Sequence, residues 1–255
     1  MRVLTTFNHA GGAAKTSTTR DIGYTLAHHH GLRVLLIDVD PQANLSSWLG
    51  VPDASVERTV ARSVLQNEPL PEPYRVHGLD LIPSNLELAL VEAQLPGQIG
   101  GIRRLHRHLR ALGERYDFVL IDSPPSLGQL SGLAAIAADA LVVPVPTTHK
   151  GVGGVGAVRA MVQTYRELNE QLHVAFYLPT LYNAQIRHHR ESLDVMRELL
   201  SPLGTPVTFR PAIYPDAHAA NVPIGVYMPG SPADLEVRAA TSELLAALGE
   251  ASVAS

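Results

Sequence analysis

Two hydrophobic periods alternate along the chain. Short, nearly continuous apolar runs at residues 3–7, 33–38, 79–83, 116–122, 140–146 and 173–178 predict buried strands. Between them, helical spacing predicts helices at 16–30, 85–95, 102–112, 131–138, 187–200 and 232–248. Ile22 and Leu26 point inward on the first of these, and Gly31 is placed to cap it. Ile102, Leu105, Leu109 and Leu112 form one stripe, with Arg103, Arg104, Arg107 and Arg110 outside it as a solvated face in preference to a phosphate-contacting patch for DNA. The glycine-rich run 151–156 precedes a further helix reaching about residue 171. Residues 207–210 read as a strand end and 214–216 as a loop. The polar, proline-containing stretch 51–74 reads as a surface excursion. Strands alternating with helices predict a three-layer α/β/α fold around a mostly parallel sheet of seven to eight strands. Residues 1–250 form one domain in this reading, and 251–255 a frayed tail.

Composition narrows the classes. The 255 residues are 45% hydrophobic and 17% charged, enough to bury a sizeable core. There are no cysteines, which excludes disulfides, thiolate zinc sites and cysteine-ligated iron–sulfur clusters. No apolar stretch reaches the roughly 18 residues of a membrane helix. The chain enters a strand within a few residues of its start, so the expectation is a cytoplasmic protein with neither signal peptide nor N-terminal DNA-binding module. Net charge is −4, so any DNA contact must come from a local patch. The run His28-His29-His30 reads as a helix C-terminus, where imidazoles meet carbonyl ends, in preference to a metal site.

The chemistry gathers where strands end. Asn8-His9-Ala10-Gly11-Gly12-Ala13-Ala14-Lys15-Thr16-Ser17 follows the first strand and opens the first helix. A phosphate-binding loop has this layout, although His9 and Ala14 stand where the strict GxxxxGK[ST] pattern asks for glycine. Such a loop aims backbone N–H groups and a helix N-terminus at anionic oxygens. Gly11 and Gly12 allow close approach, Ala13 and Ala14 are small, Lys15 supplies a point charge, and Thr16 supplies a hydroxyl for Mg²⁺. Ala14 cannot take a positive φ cheaply. Asp38-Val39-Asp40-Pro41-Gln42 ends the second strand and Asp122-Ser123-Pro124-Pro125 a later one, on the edge where open parallel sheets bind ligands. Asp40 can position a water, and Asp38 and Asp122 can hold a metal's water shell. Gly151, Gly153 and Gly156 fit GxGxxG by spacing, but no acid follows at the required distance, so a dinucleotide site is rejected.

Together these segments resemble the ParA/Soj family of partition ATPases, within the deviant Walker A (MinD/ParA) superfamily of P-loop NTPases. The resemblance covers nearly the whole chain: the loop 8–17, the DxDPQ segment within 33–46, the YD-apolar-ID-x-PPSLG segment 116–128, and Val222-Pro223-Ile224-Gly225-Val226-Tyr227. It implies ATP and ADP as ligands, with Mg²⁺. It implies an ATP-driven homodimer, non-specific DNA binding on the nucleoid, and a ParB-type centromere-binding protein that stimulates hydrolysis. Carried over, Lys15, Thr16 and Ser17 hold phosphate and Mg²⁺, Asp40 positions the attacking water, and Asp122 is the Walker B acid. Asn183, Pro211, Ile213 and Tyr214 would lie near adenine. Arg187, Arg190 and Arg210 sit where family members place basic residues for DNA.

One position departs from the family. The signature lysine before the two glycines is Ala10 here. In the family that lysine reaches the partner's phosphates, and such a trans charge is worth about 10³–10⁵ in rate. The expectation is weak or partner-dependent ATP hydrolysis, with Lys150 as a substitute cation, or a non-hydrolysing nucleotide switch of the same fold. A membrane-bound MinD-like ATPase is disfavoured, because residues 243–255 contain no Lys or Arg. A dethiobiotin-synthetase-like ligase shares the fold type, but the DxDPQ and PPSLG segments argue against it.

Overall fold

The computed structural model describes residues 1–249; the tail expected at 251–255 lies outside the described residues. Seven strands form one sheet: β1 (Arg2–Thr6), β2 (Val34–Asp38), β3 (Tyr74–Val76), β4 (Leu79–Ile82), β5 (Phe118–Asp122), β6 (Ala140–Pro146) and β7 (His173–Thr180). Their order is β3-β4-β2-β5-β1-β6-β7. Every neighbouring pair is parallel except β3 with β4. β2 and β5 are buried at every position, which is why they read as unbroken apolar runs.

Helices cover both faces. One core joins Leu35, Ile37, Val119 and Ile121 to Leu105 and Leu109 of α5 (Arg104–Ala111), to Leu130 and Leu133 of α6 (Gln129–Ala137) and to Val155 and Val158 of α7 (His149–Tyr165). The other joins Leu36 and Leu120 to Ile22 and Leu26 of α1 (Lys15–His28) and Leu244 of α11 (Pro232–Ala247). α8 (Arg187–Leu199) runs beside α7, α4 (Leu88–Gln94) lies against α6, and α10 (Ile224–Tyr227) touches α1 and α11.

Several elements differ from the periodicity. The periodicity does not predict β3, because two half-buried residues and one exposed one carry little pattern of their own. Residues 51–74 are not purely surface, because Val60 and Val64 are fully buried and α3 (Ala61–Leu65) packs under α5. Arg104 holds it there, donating to the Val64 and Leu65 carbonyls at 2.7 and 2.6 Å. Arg107 donates to Asn67 and Arg110 pairs with Asp139, so these arginines brace the fold instead of forming a free face. The strand end expected at 207–210 makes a single bridge, Thr208 to Tyr182, and Leu203 just before it bridges Tyr177. Pro202 and Pro206 ahead of that segment and Pro179 in β7 lack N–H groups and interrupt the ladder. Tyr214–Ala219 is a short helix, α9, not a loop, with Pro215 in its first turn.

The glycine run 151–156 lies inside α7, not before it. Thr148 caps that helix, its hydroxyl accepting from Gly151 N at 3.1 Å. A side chain at 151 would meet the Pro146 carbonyl at 2.0 Å, so the start of α7 must pass too close to β6 for any residue but glycine. His28 closes α1 structurally, stacked on Tyr24 and bonded to the His77 carbonyl.

Candidate functional site

The strand register assembles the site. Asp38 pairs with Asp122, and Asp122 with Thr6, so the last residues of β2, β5 and β1 stand abreast at the carboxyl edge of the sheet. The loop after β1 folds over this edge into α1. Asn8 pins its base: its amide donates to the Pro144 carbonyl at 2.7 Å and its oxygen accepts from Ala10 N at 2.9 Å. Thr180 holds the far side, donating to the Ala13 carbonyl. Gly12 has φ +72°, a value that favours glycine. Ala14, the N-cap of α1, sits at φ 66°, ψ 27°, left-handed despite its Cβ. The loop therefore takes the shape that the strict pattern reserves for glycine, at a strain of about 1–2 kcal/mol.

Lys15 is buried and its ammonium donates to the Ala10 carbonyl at 3.1 Å, closing the loop on itself. Burial lowers its pKa, while the Asp122 and Asp40 carboxylates oppose that shift. Asp122 is fully buried. Burial and the neighbouring Asp38 raise its pKa well above the usual carboxylate range, against the pull of the Thr16 hydroxyl and Lys15. One of its oxygens is approached by Thr19 at 3.3 Å, and the other, Oδ2, is buried with no hydrogen-bond partner. Asp122 and Asp40 act on one lysine here and Asp38 adds to the field at Asp122, so a divalent cation beside Asp122 would favour its ionised form.

Asp38 also braces the neighbouring loop. Its Oδ1 accepts from Asp40 N at 3.0 Å, and its Oδ2 accepts from Ser46 N and Ser46 Oγ at 3.0 and 2.8 Å. Both oxygens thus take part in shaping the loop into α2 (Asn44–Ser47). Burial raises its pKa to about 7, partly offset by those bonds. Asp40 accepts from Gln42 N with Oδ1, and its Oδ2 makes no hydrogen bond among the described residues. Ser84, just past β4, steadies the same loop: its hydroxyl donates to the Asp40 carbonyl at 2.6 Å and its N–H to Ser46 Oγ at 2.8 Å. Sequence reasoning missed Ser84. The available signal was a small polar residue at a strand's carboxyl end, level with the DxDPQ segment.

Next to the loop a cavity of about 240 Å³ opens between α1 and the C-terminal segments. Gly12, Ala14, Ser17 and Thr18 form one wall; Leu178, Val207, Phe209, Tyr214, Pro215 and His218 form the other. The Tyr214 hydroxyl has no partner, and burial pushes its pKa up. Of the expected base-contacting residues only Tyr214 lines this cavity. Asn183 turns the chain after β7, accepting from Gln185 N, and Ile213 packs on Ala217 and Ile224, so these two and Pro211 stand outside the wall.

The expected cationic residues separate into two groups. Arg210 makes two bonds to Glu236 at 2.6 and 2.7 Å and is largely covered. Arg187 is 85% exposed, paired with Glu191, and Arg190 donates to the Ala184 carbonyl. Both lie in the first turns of α8, where His188 stacks against His149 of α7 at 6.1 Å. Lys150 follows His149 there. His9 of the loop packs toward Gly154 of the same helix, so the start of α7 flanks the loop.

Comparison with known proteins bears on this geometry. A family model described as an AAA domain matches residues 1–174. A plasmid-partitioning protein ParA of Thermus thermophilus is 44% identical over 234 residues, spanning 88% of this chain and 72% of that protein. The chain belongs to the ParA family. The sporulation initiation inhibitor protein Soj of Bacillus subtilis is 35% identical over 188 residues, covering 72% of this chain and 74% of that protein. Among solved structures, cobyrinic acid a,c-diamide synthase of Mycobacterium smegmatis, with bound ADP and magnesium, superposes with a TM-score of 0.82 at 31% identity, covering 98% of this chain and 96% of that one. The ParA-family P-loop fold thus accounts for the strand order and for the loop at the end of β1. No helix among the described residues is long and apolar enough to cross a membrane.

Proposed function

We propose that this chain is a partition ATPase whose nucleotide site is formed by residues 10–17, the Asp40 loop and the adjoining cavity, with residues 1–250 acting as one nucleotide-binding unit. The observation that carries this reading is the pairing of a closed phosphate loop, Lys15 bonded to Ala10, with a buried, partnerless Asp122 Oδ2 at the neighbouring strand end. The backbone N–H groups of 11–16 face a polyphosphate, and Lys15 turns from the Ala10 carbonyl to its oxygens. Ser17 adds a hydroxyl at the start of α1. Thr16 and Asp122 would hold Mg²⁺, which supplies neutralising charge at the phosphate oxygens. Asp38 braces Asp40 through three hydrogen bonds, and its Oδ1, which accepts only one of them, keeps a lone pair for the metal's water shell. The free Oδ2 of Asp40 accepts a hydrogen bond from the attacking water. The water oxygen bonds to the γ-phosphorus and gives a proton to a phosphate oxygen, the bond to the β–γ bridging oxygen breaks, and ADP and phosphate leave. Tyr214 and the apolar wall take the base; Asn183, Pro211 and Ile213 support that wall from behind.

In this reading the protein works in the cytoplasm, on the nucleoid. ATP brings two copies together, and a ParB-type partner stimulates hydrolysis and release. DNA is held without sequence preference by Arg187 and Arg190 with His149 and Lys150, through phosphates alone. Arg210 is removed from that patch by its ion pair with Glu236. The name of the Thermus relative supports the partition role, and the ADP and magnesium of the Mycobacterium structure support the ligands.

Ala10 favours a second reading, a switch that binds nucleotide without spending it. A single experiment decides between them. ATP turnover and ATP affinity are measured for the wild type, Ala10→Lys and Asp40→Ala. A slow ATPase shows turnover that rises at least about tenfold in Ala10→Lys and falls at least about a hundredfold in Asp40→Ala, with ATP still bound. Wild-type turnover indistinguishable from Asp40→Ala, with ATP bound tightly by both, establishes the switch.

A further inference from the structure

Trp48 is the only tryptophan in the chain, and it is the C-cap of α2, one residue beyond the turn that follows the Asp40 loop. Its ring lies flat on His218, centroids 3.6 Å apart and planes 4° from parallel. His218 in turn lines the cavity beside the phosphate loop, and its Nε2 is 3.4 Å from Ser17 Oγ on the opposite wall. The body of α2 is fastened as well, at Ser46. Ser46 gives its N–H and hydroxyl to Asp38, and Ser84 ties Ser46 to the Asp40 carbonyl. A chain of direct contacts therefore runs from the cavity wall through His218 and Trp48, along a single helical turn, to the loop bearing Asp40. None of these contacts is needed to bind phosphate. All of them lie between the place where a nucleoside would sit and the carboxylate that would orient water.

We propose that His218 and Trp48 are positioning residues that set the Asp40 loop according to whether a nucleoside fills the cavity. The proposal rests on the nucleotide reading above. A base and ribose entering the cavity displace the His218 ring from Ser17, the Trp48 ring follows because the two are stacked face to face, and α2 carries the shift to Asp40. A polyphosphate without a nucleoside fills the loop but leaves the stack where it is. The site thereby distinguishes ATP from other polyphosphates at the hydrolytic step as well as in affinity.

The test uses the full chain with Mg²⁺, titrated with ATP and separately with inorganic tripolyphosphate, following Trp48 emission and calorimetric binding together. Emission is expected to shift with ATP and to stay within baseline with tripolyphosphate, though both bind. In Trp48→Leu, kcat for ATP is expected to fall about tenfold with KM within about threefold of wild type, while Trp48→Phe, which keeps a stackable ring, recovers most of kcat. His218→Ala is expected to reproduce the kcat loss. Circular dichroism and the thermal shift on adding ATP establish that each variant is folded and binds. An equal emission change with tripolyphosphate, or wild-type kcat in Trp48→Leu, overturns the proposal. Calorimetry showing no ATP binding at all overturns the nucleotide reading, and the coupling with it.

Discussion

At the residue scale, two strained or displaced side chains make measurable demands. Ala14 holds a left-handed conformation that its Cβ resists. Replacing Ala14 with glycine should raise stability by about 1 kcal/mol, read as an increased midpoint in urea, because relief of strain outweighs the added freedom of the unfolded chain. His218 is the second. Burial, with the nearby Arg20 guanidinium, pulls its pKa down to about 4, below the 6.5 of an unfolded histidine. The unfolded state therefore binds more protons at His218 throughout that interval, and the folded state loses stability as pH falls from about 6.5 toward about 4. The stability difference between wild type and His218→Gln should move by about 1–3 kcal/mol across this window, the wild type losing relative to the variant on acidification. A difference that stays flat with pH would show that His218 titrates normally in the fold.

At the element scale, α7 and α8 carry the next two expectations. α7 has four glycines in its first eight residues, and they are not equivalent. Gly151 has no room for a side chain, whereas a Cβ at Gly153 or Gly156 would touch nothing within 4 Å. Gly153→Ala and Gly156→Ala should each stabilise by about 0.5–1 kcal/mol, and Gly151→Ala should destabilise by about 1–3 kcal/mol, in thermal denaturation. The start of α8 carries the exposed Arg187 and Arg190, while Arg210 is spent on Glu236. Reversing charge at Arg187 and Arg190 should abolish salt-sensitive DNA retention with ATP affinity unchanged. Arg210→Ala should instead lower stability and leave the salt slope of DNA binding as it was. An Arg210→Ala protein that is fully stable but no longer retains DNA would reverse that assignment.

At the scale of the whole molecule, the sheet register explains why so much of the site was legible in the chain. Asp38 and Asp122 end apolar runs, and parallel pairing brings those ends abreast beneath the loop after β1. Local patterns sufficed for β1, β2, β5 and β6 because buried parallel strands are apolar at every position. They failed for β3, whose half-exposed residues owe their conformation to β4, and for the arginines of α5, whose partners lie about 30–40 positions away in the chain. The same sequence distance hid the cavity. Its walls combine residues from α1, β7 and the segment 207–218, and no window along the chain contains them all.

What the chain determines alone is what short-range chemistry can dictate: the alternating strands and helices, the loop with Lys15 and Thr16, the acids at strand ends, and the alanine in place of the signature lysine. Those features depend on residue type and spacing within a few turns of backbone. Only the tertiary structure decides how the polar groups are shared out. It bonds both oxygens of Asp38 to the Asp40 loop and leaves Asp122 Oδ2 buried and unpartnered. It removes Arg210 into an ion pair, and lays Trp48 against a histidine 170 positions away. Most buried polar groups are hydrogen-bonded, and the fold draws their partners from everywhere in the chain.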